Sequence, residues 1–150
     1  MKQTVQVRVA GLIVHHERLL AMVYDYPGGV VHALPGGRLE EGEFAREALE
    51  REFREELGIH IEAGDLAFVG EAKASQIVRQ TLHMVFHARI TYGTPTLNPM
   101  ETSAKAIEWL PLPSLEGHHL YPDIGAALCR GPQGKPTAHF LGNVMHRQWM

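Results

Sequence analysis

Apolar and polar residues alternate from Val5 to Val9, with Gln6 and Arg8 between the valines, and apolar residues continue to Val14. A period of two predicts a strand. His15-His16-Glu17 is a polar turn, and Arg18 to Tyr24 reads as the returning strand of a hairpin. Pro27-Gly28-Gly29 predicts a loop over residues 25–29, and Pro35-Gly36-Gly37 cuts off a short strand over residues 30–34. The period then changes. Phe44, Ala45, Ala48, Leu49, Phe53 and Leu57 form a stripe at helical spacing, which predicts a helix over residues 43–57. Gly58 stands where a left-handed C-cap glycine belongs. Glu47–Arg51, Glu50–Arg54 and Arg51–Glu55 are opposite charges four residues apart, expected to pair on the wet side.

Residues 59–70 read as a strand with a turn near Gly64-Asp65, and residues 76–91 as a long strand. Leu82, Met84, Phe86, Ala88 and Ile90 share one face of it; Thr81, His83, Val85, His87 and Arg89 share the other. The second set is expected to be a solvated face. The competing reading is a cleft wall, where His83, His87 and Arg89, with Arg79 just before, would meet phosphates or a base. A Pro/Gly loop over 92–100, an edge strand over 104–110, a helical turn over 113–116, a helix over 123–130 and a break over 131–136 complete the pattern. A last strand is expected within 135–150. His15, His16, His118 and His119 are expected on the surface, and Trp109 in the core or as an apolar wedge. This order implies an α+β or mixed α/β fold with helices covering a central sheet, in one domain over residues 1–150.

Composition narrows the function. A net charge of −3 gives no basic footprint, so a duplex nucleic acid partner gains no support. The single cysteine, Cys129, excludes an internal disulfide framework. Residues 1–10 alternate and do not form a secretory leader, and no run approaches the roughly 18 apolar residues of a membrane span. The expected location is the cytoplasm.

The helix carries the chemistry. A helix C-terminus already bears partial negative charge, yet Glu52, Glu55 and Glu56 gather there, with Glu52 and Glu56 four residues apart. At 100° per residue the three fall within an arc of about 100°. A solvated acidic face is the ordinary reading. A divalent cation is the sharper one, because hard oxygen ligands suit Mg²⁺ or Mn²⁺ and the ion offsets the repulsion. The Gly36-Gly37 turn permits close backbone approach, and a carbonyl there could join the ligands.

The pattern extends beyond the helix. Gly37, Glu43, Arg51, Glu52, Phe53, Glu55, Glu56, Gly58 and Ile59 match G-x₅-E-x₇-R-E-U-x-E-E-x-G-U, with U a bulky apolar residue. Chance agreement is on the order of one in a few billion per starting point. Residues 37–59 thus resemble the Nudix box, and the chain resembles small MutT-like Nudix hydrolases. Leu34-Pro35-Gly36-Gly37 before the box and Glu108-Trp109-Leu110-Pro111-Leu112 after it fit the family in outline.

The resemblance implies an α/β/α sandwich around a mixed sheet, and Mg²⁺-dependent hydrolysis of a nucleoside diphosphate linked to another group. Carried onto this chain, Glu52, Glu55 and Glu56 would hold metal together with Gly37. Arg51 would orient Glu52, Glu43 would support the turn and the helix start, and Gly58 would close the helix. The general base would be a box acid or Glu101 in the loop before Trp109, with Glu71 second. Tyr24, His32, Leu34 and Arg79 are expected to contact a nucleotide-type substrate. Residues 72–76 lack the proline often seen in members acting on ADP-ribose, the nearby tyrosine of many dinucleoside-polyphosphate members is absent, and no coenzyme A or NADH signature is present. These absences favour a nucleoside triphosphate or a nucleotide-sugar. Two alternatives stand: a nucleotide-binding sensor without useful catalysis, and a hydrolase of RNA 5′ ends. The apolar residues from Phe140 to Trp149 close the core or form a homodimer face.

Overall fold

The structure is a computed structural model and describes residues 4–74, 79–130 and 139–145. β1 (Gln6–Leu12) and β2 (Val14–His15) lead into β3 (Arg18–Tyr26). His16 and Glu17 both have positive φ, 49° and 60°, which suits the two-residue turn between His15 and Arg18. β4 (Gly29–Ala33), β5 (Gly36–Arg38) and α1 (Ala45–Leu57) follow, then β6 (His60–Ala72) and β7 (Thr81–Tyr92). β8 (Ala106–Pro111), a 3₁₀ segment (Leu112–Gly117), β9 (Leu120–Tyr121), α2 (Gly125–Arg130) and β10 (His139–Asn143) complete the order. The fold is α+β with mixed sheets.

One sheet runs β10-β6-β7-β1-β5, with β1 and β7 parallel and β5 antiparallel to β1. In the second, β3 lies between β8 and β4, both antiparallel to it, and β9 adds to β4 in parallel. The alternation within β1 divides the core. Val9 packs with Phe86 against Ala48, Leu49, Phe53 and Leu57 of α1. Ala10 and Leu12 pack with Val85 against Leu115 and Ile124 on the opposite side. Helices therefore cover both faces of the first sheet.

Several expectations change. β7 is central, so Thr81, His83 and Val85 are all about 1% exposed, and only His87 and Arg89 on that face reach water. The expected turn at Gly64-Asp65 is instead a register shift inside a continuous β6. Among the described residues, only Arg51–Glu55 of the three expected helix pairs forms, at 3.2 Å. His118 and His119 are half-buried, not on the surface. The last strand exists over His139–Asn143, and Val144 is core; Gln76 and Trp149 lie outside the described residues. Trp109 is half-buried and packs with the α1-side core. No described helix is long and apolar enough to cross a membrane.

Candidate active site

α1 begins one residue after Phe44, whose N–H donates to Glu47 Oε1 at 3.2 Å. It ends at Gly58, φ 65°, whose N–H reaches the Arg54 carbonyl at 3.1 Å. Its apolar face is fixed by the core, and this aims Glu52 at β5. A Cβ on Gly37 would collide with the Glu52 carboxylate, so only glycine lets that carboxylate lie against the strand. A Cβ on Gly36 would meet the Val9 carbonyl across the β1–β5 pair.

Arg51 organises the acids. Its Nε and Nη2 donate to the two oxygens of Glu43 at 3.0 and 2.8 Å, a bidentate pair. Its Nη1 donates to Glu52 at 2.9 Å and Glu55 at 3.2 Å, and Nη2 also reaches the Arg38 carbonyl at 3.2 Å. Glu43 thus takes the stronger grip, and Glu52 shares the arginine with Glu55. Glu43 also accepts the Glu40 N–H at 2.8 Å, closing the turn before the helix. Arg51 holds the Glu43 carboxyl below the usual range, and Glu43 in turn raises the arginine's pKa.

The inner acids behave oppositely. Burial raises the pKa of Glu52, and Arg51 only partly offsets this. Glu56 is pushed up to about 8, first by burial and then by the Glu52 charge beside it. Two half-buried carboxylates side by side oppose each other's ionisation, which favours a proton on the pair. A cation would replace that proton, and three carboxylates are hard oxygen donors of the kind Mg²⁺ takes. Among the described residues no three acids converge on one point as they stand, because Glu55 leans onto Arg51.

The loop after β7 docks on this end of the helix. Asn98 donates from its N–H to the Glu56 carbonyl at 2.9 Å and from Nδ2 to the Glu55 carbonyl at 3.2 Å. The Thr96 N–H takes the Leu57 carbonyl at 3.0 Å. These donors satisfy carbonyls that a helix end leaves open. Glu101 is exposed and follows in the same loop, its N–H on the Asn98 carbonyl at 3.0 Å. The Tyr24 hydroxyl lies 3.2 Å from Thr102 Oγ1, and its pKa is raised by burial, with Glu56 adding to the rise. Tyr24 is thereby tied to the loop that carries Glu101.

The remaining expected contacts scatter. His32 faces away from Tyr24, because Tyr24 pairs with Val31 and His32 with Val23. It bonds Glu108 at 3.0 Å and packs edge-on to His118 at 4.6 Å. The Leu34 side chain is core; its carbonyl accepts from Arg8 at 3.0 Å and its N–H donates to the Tyr121 carbonyl at 3.0 Å. Arg79 lines an open groove of about 330 Å³ with Arg38, Glu40 and Glu41. Glu71 is exposed at the end of β6, its carbonyl bound to the Val144 N–H.

The family profile of the NUDIX domain matches residues 4–127. The chain belongs to the Nudix family. It is 39% identical over 83 residues to the human "8-oxo-dGDP phosphatase NUDT18", a match covering 55% of this chain and 24% of that protein. The chain thus spans about a quarter of the length of this relative. Its fold is similar to that of the E. coli ORF135 protein, with TM-score 0.68 and 23% identity over 87% of this chain and 94% of that one. A MutT NUDIX hydrolase from Burkholderia pseudomallei follows at TM-score 0.65 and 26% identity, covering 74% and 86%.

Two features of this Nudix site were not anticipated from sequence. Asn98 looks like any polar loop residue until its partners are known. Arg8 sits in the alternation of β1 as if facing water, yet it is half-buried beside the Leu34 carbonyl and the Tyr121 ring.

Proposed function

We propose that this Nudix hydrolase cleaves the phosphoanhydride of a nucleoside di- or triphosphate, or of a nucleotide-sugar, with Mg²⁺ or Mn²⁺ held by Glu52, Glu55, Glu56 and the Gly37 carbonyl. The observation that carries this is the packing of Glu52 against Gly37 with Glu55 and Glu56 on the adjoining turn, Glu52 and Glu55 sharing one arginine. Such a site neutralises phosphate oxygens and places a water, which is the chemistry the cation supplies. Arg51 keeps Glu52 and Glu55 aimed. Glu101 takes the water's proton; its loop is tied to the acidic helix end through Asn98, whereas Glu71 has no such tie among the described residues. The water oxygen forms the new bond to phosphorus, the bridging P–O bond breaks, and the departing phosphate or pyrophosphate takes the electron pair.

The relative named as an 8-oxo-dGDP phosphatase puts oxidised guanine nucleotides first among substrates to try. The test is phosphate and pyrophosphate release over normal and oxidised di- and triphosphates, nucleotide-sugars, ADP-ribose, dinucleoside polyphosphates and triphosphate-ended RNA. Roughly 5 mM Mg²⁺, enough for a site whose ion keeps several waters, is compared with EDTA. Release that EDTA abolishes supports the reading. Nucleotide binding without release, with either Mg²⁺ or Mn²⁺, overturns it in favour of a sensor.

A further inference from the structure

The C-terminal end of α1 is closed by a single loop. A helix leaves its last four carbonyls open. Here the Arg54 carbonyl takes the Gly58 N–H at 3.1 Å. Those of Glu55, Glu56 and Leu57 take Asn98 Nδ2 at 3.2 Å, the Asn98 N–H at 2.9 Å and the Thr96 N–H at 3.0 Å. Leu97, between these donors, packs against the α1-side core and anchors the loop.

Asn98 is exposed, yet every polar group it has is engaged. Its N–H and Nδ2 run back to the helix. Its Oδ1 accepts the Met100 N–H at 3.1 Å, an Asx turn. Its carbonyl accepts the N–H of Glu101 at 3.0 Å and of Thr102 at 3.1 Å. One residue thus joins the turn that bears Glu55 and Glu56 to the turn that bears Glu101. Thr102, next in the chain, is held in its turn by the Tyr24 hydroxyl at 3.2 Å. Glu101 is therefore bracketed by two fixed points, one on α1 and one on β3. Exposed hydrogen bonds compete with water and contribute little to stability. Converging on one residue, they fix orientation instead.

We propose that Asn98 is a positioning residue: its side chain holds Glu101 in register with the acid-bearing end of α1 and acts on hydrolysis only through Glu101. The inference rests on the reading of Glu101 as the group that takes the water's proton.

The test is a double-mutant cycle of Asn98→Ala with Glu101→Gln, followed by steady-state kinetics with Mg²⁺. The probe is the nucleotide of the panel above that wild type hydrolyses fastest, 8-oxo-dGDP being tried first. Glu101→Gln is expected to lower kcat about 10²–10⁴-fold, the range of a general base. Asn98→Ala should lower kcat up to about 10²-fold, the scale of a misplaced group, with KM little changed. On the Glu101→Gln background the same substitution should cost nothing further. Asn98→Asp keeps the Oδ1 acceptor and loses the donor to Glu55, so it should fall as Asn98→Ala does. Asn98→Gln keeps the donor on a longer arm and should recover part of kcat. Mn²⁺ affinity, followed by electron paramagnetic resonance without substrate, should be the same in Asn98→Ala as in wild type.

Equal losses on both backgrounds overturn the proposal, since they mark a merely structural asparagine. Wild-type kcat in Asn98→Asp overturns it too, because the bond to the helix would then be idle. So does weakened Mn²⁺ binding in Asn98→Ala, which would place the effect in the acids. Should Asn98→Ala not fold, the cycle is run with Asn98→Asp. Wild-type kcat in Glu101→Gln alone would remove Glu101 as the base, and the proposal with it. Additive losses beside a slow Glu101→Gln would overturn the role of Asn98 and leave that base standing.

Discussion

Two arginines of this chain are held in opposite ways. Arg51 has all three guanidinium nitrogens engaged, on Glu43, Glu52, Glu55 and the Arg38 carbonyl. Arg8 uses one nitrogen on Leu34 and buries another without a partner. A saturated guanidinium is scaffold: it fixes the geometry of its neighbours and has nothing left for a ligand. An unsaturated one in the interior carries a desolvation cost that no partner among the described residues offsets. Arg51 thus positions the acids, while Arg8 stands at the Leu34 carbonyl and the Tyr121 ring.

The comparison breaks first at the acid beside those that Arg51 positions. Glu56→Gln keeps size and hydrogen bonding but cannot ionise, and should lower kcat about 10³-fold or more, beyond the 10–100-fold typical of partners outside the ligand shell. Its circular dichroism should match wild type; turnover at wild-type rates would mean that Glu56 does not serve the metal. Gly37→Ala comes next. The added methyl must push the Glu52 carboxylate off β5, and a shift of about 1 Å at a reacting centre costs roughly 10²-fold. Unchanged kcat in this variant would show that Glu52 need not lie on the strand. Arg51→Lys preserves charge and loses the fork, with an expected 10–100-fold drop in kcat and a stability loss of about 2 kcal/mol, read by urea titration. If stability fell but kcat held, Arg51 would be scaffold for the turn at Glu43 alone.

How far the residues alone reveal this differs along the chain. The helix and its box were readable because helical spacing, a C-cap glycine and a rigid motif all point the same way; α1 starts two residues later than expected because the chain first turns at Glu43 to meet Arg51. The fold followed from the order of elements. β7 was misread for a physical reason. Alternation separates two faces but does not say which is covered, and that depends on α2 and the 3₁₀ segment, which are distant in sequence. His83 was therefore placed toward water when it is core. His32 was grouped with Tyr24 because both sit on strands leading to the glycine turn; the antiparallel register puts their side chains on opposite faces. Asn98 carries no pattern at all, since its role exists only once the loop meets the helix end.

The smallest expected effect concerns that buried His83, which shares its strand register with Arg8. Burial lowers its pKa to about 3, and the Arg8 charge adds to this. The unfolded chain binds a proton at His83 below about 6.5 while the folded one does not. Its stability contribution is therefore complete above that pH and is lost as the pH falls toward 3. The difference in melting temperature between pH 7 and pH 5 should be smaller in His83→Leu than in wild type. An equal difference in both would show that His83 is not held neutral.

The central claim is that Glu52 and Glu55, aimed by Arg51, and Glu56 beside them form a divalent cation site. Titration of Mn²⁺ into the protein, with free Mn²⁺ followed by electron paramagnetic resonance, tests it without any assumption about substrate. The account predicts saturable binding by wild type, competed by Mg²⁺ and weakened at least about tenfold in Glu56→Gln. Binding of equal strength in wild type and Glu56→Gln would contradict it.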